Sequence, residues 1–145
     1  MNKDLRNFFI FTITSLLLSG CAATGSSFAL KKDIDPEKSR IIFYRPYEFM
    51  GNAIILSIKE DEKDILKIQN GQFISYLTKP SVKTYSSSKL ILGDNNRIKL
   101  ELKPNETYYV RVAVRNRAFS NTVYLSRVYE DEALEDLKSC CKTGQ

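Results

Sequence analysis

The chain predicts a mainly β protein: an antiparallel β-sandwich of about seven to nine strands with a short C-terminal helix. Three observations carry this. Segments rich in β-branched and aromatic residues recur, with turn residues between them about every ten positions. In the clearest stretch Ile98, Leu100 and Leu102 alternate with Arg97, Lys99, Glu101 and Lys103, and then Tyr108, Val110, Val112 and Val114 alternate with Tyr109, Arg111, Ala113 and Arg115. Period two means one buried and one wet sheet face. Only the last stretch changes period: Ala133, Leu134 and Leu137 fall on one helical face, behind Glu130, Asp131 and Glu132, which suit a helix N-terminus. A hydrophobic content of 43% beside 27% charged residues fits one globular body.

In chain order, Lys3 and Arg6 against Asp4 give a weakly positive start, followed by an apolar run over 8–18 diluted by Thr12, Thr14 and Ser15. That run is shorter than the roughly 20 residues a spanning helix needs, so it reads as a secretory signal. The signal is either an ordinary one cut near Ala22-Ala23 or a lipoprotein one. Leu18-Ser19-Gly20-Cys21 resembles the lipobox of bacterial lipoproteins. That resemblance implies a diacylglycerol on the Cys21 thiol, cleavage before it and acylation of the new amine. At about 0.8 kcal/mol per buried methylene, three acyl chains make a near-permanent anchor. Ala22, where an inner-membrane lipoprotein tends to have Asp, implies the outer membrane, periplasmic face. The expected organisation is therefore a signal over 1–20, a lipidated tether over 21–38, a sandwich over 39–139 and a tail over 140–145. As a flexible coil the tether would reach about 25 Å.

The strands follow in order. Ser-Arg-Ile-Ile-Phe-Tyr-Arg over 39–45 is a first strand ending at Pro46, and 46–52 is a loop carrying Tyr47, Phe49, Met50 and Gly51. A strand over 53–59 and a charged turn, Glu60-Asp61-Glu62-Lys63, come next; that acidic cluster lacks the spacing of a calcium loop. Asn70-Gly71 between strands over 64–69 and 72–78 signals a type I′ hairpin. One or two strands are expected around 82–85 and 89–92, then a turn at Gly93-Asp94-Asn95-Asn96. Pro104-Asn105 is read as the turn joining the two alternating arms into a hairpin, 115–121 as a polar loop around Phe119, and 122–129 as the last strand.

This order of features resembles a family of small bacterial lipoproteins known as domain of unknown function 2846. The lipobox is followed by Phe43-Tyr44-Arg45-Pro46, by Asn70-Gly71-Gln72-Phe73 and by Tyr108-Tyr109-Val110-Arg111-Val112, with a late strand and an acidic helix behind. Pro80-Ser81 stands where the family usually has a Pro-Gly turn. The resemblance implies a transthyretin- or immunoglobulin-like sandwich and no assigned activity.

The chain has no histidine, which removes Ser-His and Cys-His nucleophile pairs and every His-ligated metal site. No catalytic residue, metal or cofactor is therefore expected. A binding or structural module of the envelope is expected instead; an inhibitor or immunity lipoprotein is the alternative, and a hydrolase built without His a more distant one. The net charge of +5, one unit of it from the leader, favours anions. For an exported protein these are headgroups, lipopolysaccharide phosphates, wall polymers or an acidic partner protein or glycan, not nucleic acid. Tyr44, Arg45, Tyr47, Phe49, Tyr109 and Arg111 form either an exposed recognition patch or core and edge cover. Arg111, Arg115 and Arg117 with Lys99 form either a basic binding face or an ordinary solvated one. Cys140 and Cys141 have Cα atoms about 3.8 Å apart, below the usual disulfide span of about 4.4–6.8 Å. They either link a second chain, as in a disulfide-bonded dimer, or close a vicinal ring, or lie in a tail.

Overall fold

The computed structural model describes residues 28–29, 34–49, 51–87, 96–117 and 120–143, with only the backbone described at 116, 117, 120 and 121. The signal, Leu18, Ser19, Gly20 and Cys21 lie outside the described residues, as does the strand expected around 89–92. The strands are β1 (Ser39–Arg45), β2 (Leu56–Glu60), β3 (Lys63–Ile68), β4 (Gln72–Thr78), β5 (Val82–Ser87), β6 (Arg97–Glu101), β7 (Thr107–Arg117), β8 (Ser120–Val128) and β9 (Lys142–Thr143), with helix α1 (Glu130–Cys140) before β9. They form two sheets, ordered β8-β7-β1-β4-β9 and β3-β2-β5-β6. The chain is thus the expected mainly β sandwich with a short C-terminal helix. Two pairs depart from a purely antiparallel pattern: β1 runs parallel to β7, and β4 parallel to β9.

The reason lies in β1. All seven of its residues are buried. Ile41 and Phe43 point into the core between the sheets, packed with Leu56, Ile58, Val110 and Val112. Ile42 and Tyr44 point the other way, into a second core with Phe73, Tyr109, Val128, Ala133 and Leu137. A strand whose apolar run over 41–44 is buried on both faces suits the middle of a sheet covered on both sides. Helix α1 is that cover, so the body has three layers.

Two expected hairpins are not hairpins. β3 and β4 belong to different sheets, and Asn70-Gly71 is the crossing between them. Only Gly71 takes positive φ (68°). The buried Asn70 side chain instead mimics a strand: its amide donates to the Glu48 carbonyl at 2.8 Å, and its oxygen accepts from the Glu48 N–H at 3.0 Å. The type I′ geometry occurs at Asp61 and Glu62, with φ of 46° and 71°, where β2 turns into β3. Likewise Pro104-Asn105 links strands of opposite sheets. β6 pairs with β5, whereas β7 pairs with β1 and β8. The alternating arms meet face to face across the core, not edge to edge. Alternation reports which face is buried and leaves the partner open.

Besides β2–β3, β7 and β8 pair antiparallel, in register from Tyr109↔Val128 to Arg117↔Ser120. Of the stretch read as a polar loop, residues 115–117 therefore continue β7 and 120–121 begin β8, while Phe119 lies outside the described residues. At the C-terminus β9 pairs with Gln72 and Phe73, and the Lys142 N–H donates to the Gly71 carbonyl at 3.0 Å. Residues 140–143, read as tail, belong to the body.

Asn70→Ala is expected to lower unfolding stability by about 1–3 kcal/mol, since it strips partners from two backbone groups beside a buried site. Chemical denaturation checks this; an unchanged midpoint would mean that water replaces the amide at no cost.

Candidate functional site

Alternation along β7 puts Tyr109, Arg111, Ala113 and Arg115 on the helix side of the five-stranded sheet. Arg111 lies opposite Ser126 of β8, and Ala113 opposite Tyr124. Helix α1 covers part of that face with Ala133 and Leu137. Next to it a groove of about 540 Å³ opens, bounded by Pro46, Glu48, Arg111, Arg115, Tyr124 and Ser126. The small Ala113 side chain leaves room between the two arginines.

Arg111 is tied to the helix. Its Nη2 donates to Glu132 at 2.8 Å and more closely to Asp136, and its Nε lies 3.0 Å from the same Asp136 oxygen. Glu132 and Asp136 stand four apart on α1, one turn above the other, so one guanidinium reaches both. The Tyr44 hydroxyl completes the cluster, donating to Asp136 at 2.9 Å and accepting from Arg111 Nε at 3.2 Å. Burial, and then Asp136, push the Tyr44 phenol well above its ordinary value. Burial alone would lower the Arg111 guanidinium, but Asp136 and Tyr44 outweigh it and hold its proton more firmly.

Arg115 differs. It is exposed, and its guanidinium stacks 5.0 Å from the centre of the Tyr124 ring. Among the described residues it has no carboxylate partner, whereas Arg97, also on the groove, pairs with Glu62 at 2.7 Å. A guanidinium steadied on a ring keeps its N–H fork free for a planar or tetrahedral anion.

The six residues of the expected patch, taken with Arg115 of the expected basic face, are not one exposed surface. Arg111 and Arg115 share the groove, and Tyr44 supports Arg111 from beneath. Tyr44 and Tyr109 are buried under α1, with the Tyr109 hydroxyl 3.3 Å from Glu130. Arg45 is fully buried, and its guanidinium donates to the carbonyls of Ile54 (2.5 Å) and Gly51 (2.8 Å). Tyr47 and Phe49 are exposed, on the loop that Arg45 ties. Sequence reasoning missed Tyr124, Ser126 and Asp136. Tyr124 and Ser126 alternate in phase with the wet face of β8, and Glu132 and Asp136 have the spacing that one arginine can bridge.

Cys140 and Cys141 are bonded to each other, with Cα atoms 3.7 Å apart. In this form neither sulfur is available to a second chain, and Cys141 is buried against the Arg45 carbonyl. Among the described residues no group of three Cys, Asp or Glu side chains could hold a metal ion, and no helix is long and apolar enough to cross a membrane.

Fold and groove together define a three-layer β-sandwich with a cleft beside its helix, lined by Arg97, Arg111 and Arg115 and by Glu48 and Asp136. Compared with known proteins, the chain matches no family model, no curated protein and no solved structure.

Proposed function

We propose that this chain is a lipoprotein of the domain of unknown function 2846 family, anchored through an acylated Cys21 to the periplasmic face of the outer membrane. Its sandwich binds an acidic envelope component, a protein or a glycan, in the groove between Arg111 and Arg115, and catalyses nothing. The observation that carries the binding site is Arg115, stacked on Tyr124 and, among the described residues, in no ion pair with a carboxylate. Arg111, fixed by Glu132 and Asp136, supplies a second and rigid wall.

A photoreactive residue at Ala113, on the groove floor, tests this in the full chain within its own envelope. It should capture an envelope component that is not captured from Lys67, an exposed position on β3 of the other sheet. Arg115→Glu should weaken that capture about tenfold or more, from the loss of a charge-assisted contact and the added repulsion. Capture that Arg115→Glu leaves unchanged would remove the groove from the reading.

A further inference from the structure

We propose that the end of the sandwich carrying Phe28, Tyr47 and Phe49 rests on the lipid surface, with Tyr47 and Phe49 entering the headgroup layer. This inference rests on the reading of Cys21 as the acylated residue.

The length of chain between anchor and body sets the orientation. A tether running from Cys21 to the start of β1 would span up to about 60 Å when extended, enough to allow any orientation. Phe28 removes that freedom. Its ring meets Phe73 edge-on at 5.0 Å and joins the apolar cluster under α1 with Leu137 and Cys140. Phe28 is only seven positions after Cys21, so the docking point lies within about 25 Å of an acylated Cys21. Phe73 is opposite Tyr44 near the C-terminal end of β1, not at the Ser39 end where β1 begins. The sandwich is thus tethered by the end at which β1 finishes.

The same end presents the exposed aromatics. A side-chain carbon on Gly71 would sit 3.5 Å from the Tyr47 ring and 3.6 Å from the Cys140 carbonyl, so Tyr47 stands beside the start of β4 and the end of α1. Tyr47 is 54% exposed and Phe49 81%. Their loop is not slack. Arg45 holds the Ile54 and Gly51 carbonyls, and Asn70 holds both backbone groups of Glu48. A loop fixed by buried polar groups loses little conformational freedom when its tip enters another phase. Tyrosine suits the membrane–water boundary, and phenylalanine adds apolar area to bury there. Lys138 and Lys142, exposed near the end of α1, add charge that anionic headgroups attract.

The sequence contains no tryptophan, so single substitutions make clean reporters. The acylated full chain would be placed in vesicles of phosphatidylethanolamine and phosphatidylglycerol that carry brominated acyl chains. Phe49→Trp and Tyr47→Trp should show blue-shifted emission and at least twofold quenching by the bromine. Val82→Trp should show neither. Val82 is 57% exposed and lies beside the Ser39 end, where the Leu102 N–H donates to the Ser81 carbonyl and the Ser39 hydroxyl to Lys103. Mass spectrometry of the same sample separates the two readings. A missing acyl mass on Cys21 sinks the anchor and this orientation with it. An acylated Cys21 with Phe49→Trp unquenched, or with Val82→Trp quenched equally, overturns the orientation alone. A blue shift in native envelopes without quenching in the vesicles also overturns it, and would assign the loop to a protein partner.

Discussion

Arg45→Ala is expected to cost about 3 kcal/mol or more of folding stability and to lower the melting temperature by roughly 10 °C. Arg45 closes β1 with its whole side chain out of water, and its guanidinium is held by two backbone carbonyls, those of Gly51 and Ile54. Burial lowers its pKa, and Glu48 partly opposes this. The site therefore works against the charge it contains, which persists because the β1–β2 loop wraps its carbonyls around it. Truncation removes the guanidinium that bridges both carbonyls and leaves a cavity beneath the loop. Arg45→Lys should recover little, because one ammonium on a single stem cannot span two acceptors set for a fork. Thermal unfolding and limited proteolysis within 46–55 check this together. An Arg45→Ala protein within about 1 kcal/mol of the parent would show that the loop is held by Asn70 and its own packing instead.

Arg45 also shows what the amino-acid order conceals. An arginine next to a tyrosine and a proline reads as surface, because arginine is rarely buried without a partner. Here the partners are backbone carbonyls six and nine residues ahead, and no residue type announces them. The strands themselves were legible, since β1, β2, β4 and β7 are written in β-branched and aromatic residues with the right period. Partnership was not. β1 and β7 pair in parallel across the length of the chain, Arg40 with Thr107, and composition says nothing about that. Asn70-Gly71 carried a strong local turn signal, but the tertiary fold used it to cross between sheets. The groove was half legible. Arg111 and Arg115 followed from alternation on one arm. The helix that claims Arg111 for Asp136 and leaves Arg115 free had to be docked before the two could be told apart.

Raising the pH above about 10 is expected to unfold the protein steeply, and the cause is phenolic. Tyr44, Tyr85 and Tyr109 are buried, and each hydroxyl donates to a carboxylate: Asp136 at 2.9 Å, Glu60 at 2.7 Å and Glu130 at 3.3 Å. Burial first, and then the carboxylate, raises each phenol. Tyr109 is pushed up to about 12, and Tyr44 and Tyr85 also lie above their ordinary value. An unfolded tyrosine loses its proton near about pH 10. The folded state therefore keeps protons that the unfolded state has released. Stability from these groups is complete below about pH 10 and declines above it; the part from Tyr109 is lost as the pH climbs through about 12, and the parts from Tyr44 and Tyr85 later still. Each such tyrosine contributes a slope approaching 1.4 kcal/mol per pH unit, so the three together give at most about 4, less whatever solvent reaches their hydroxyls. The geometry adds to the damage. Tyr85 belongs to a network in which Lys83 meets Glu60 at 2.5 Å and Thr78 of the other sheet at 2.7 Å. Tyr44 supports Arg111 under α1. Ionising either phenol sets a second negative charge against an existing carboxylate, so the sheet–sheet and helix–sheet contacts fail together. Circular dichroism and phenolate absorbance should change in one cooperative step. Replacing all three tyrosines with Phe should flatten the alkaline limb while lowering stability at neutral pH. A limb that stays equally steep in the triple variant would transfer the effect to Tyr76 and Tyr108, whose phenols burial also raises.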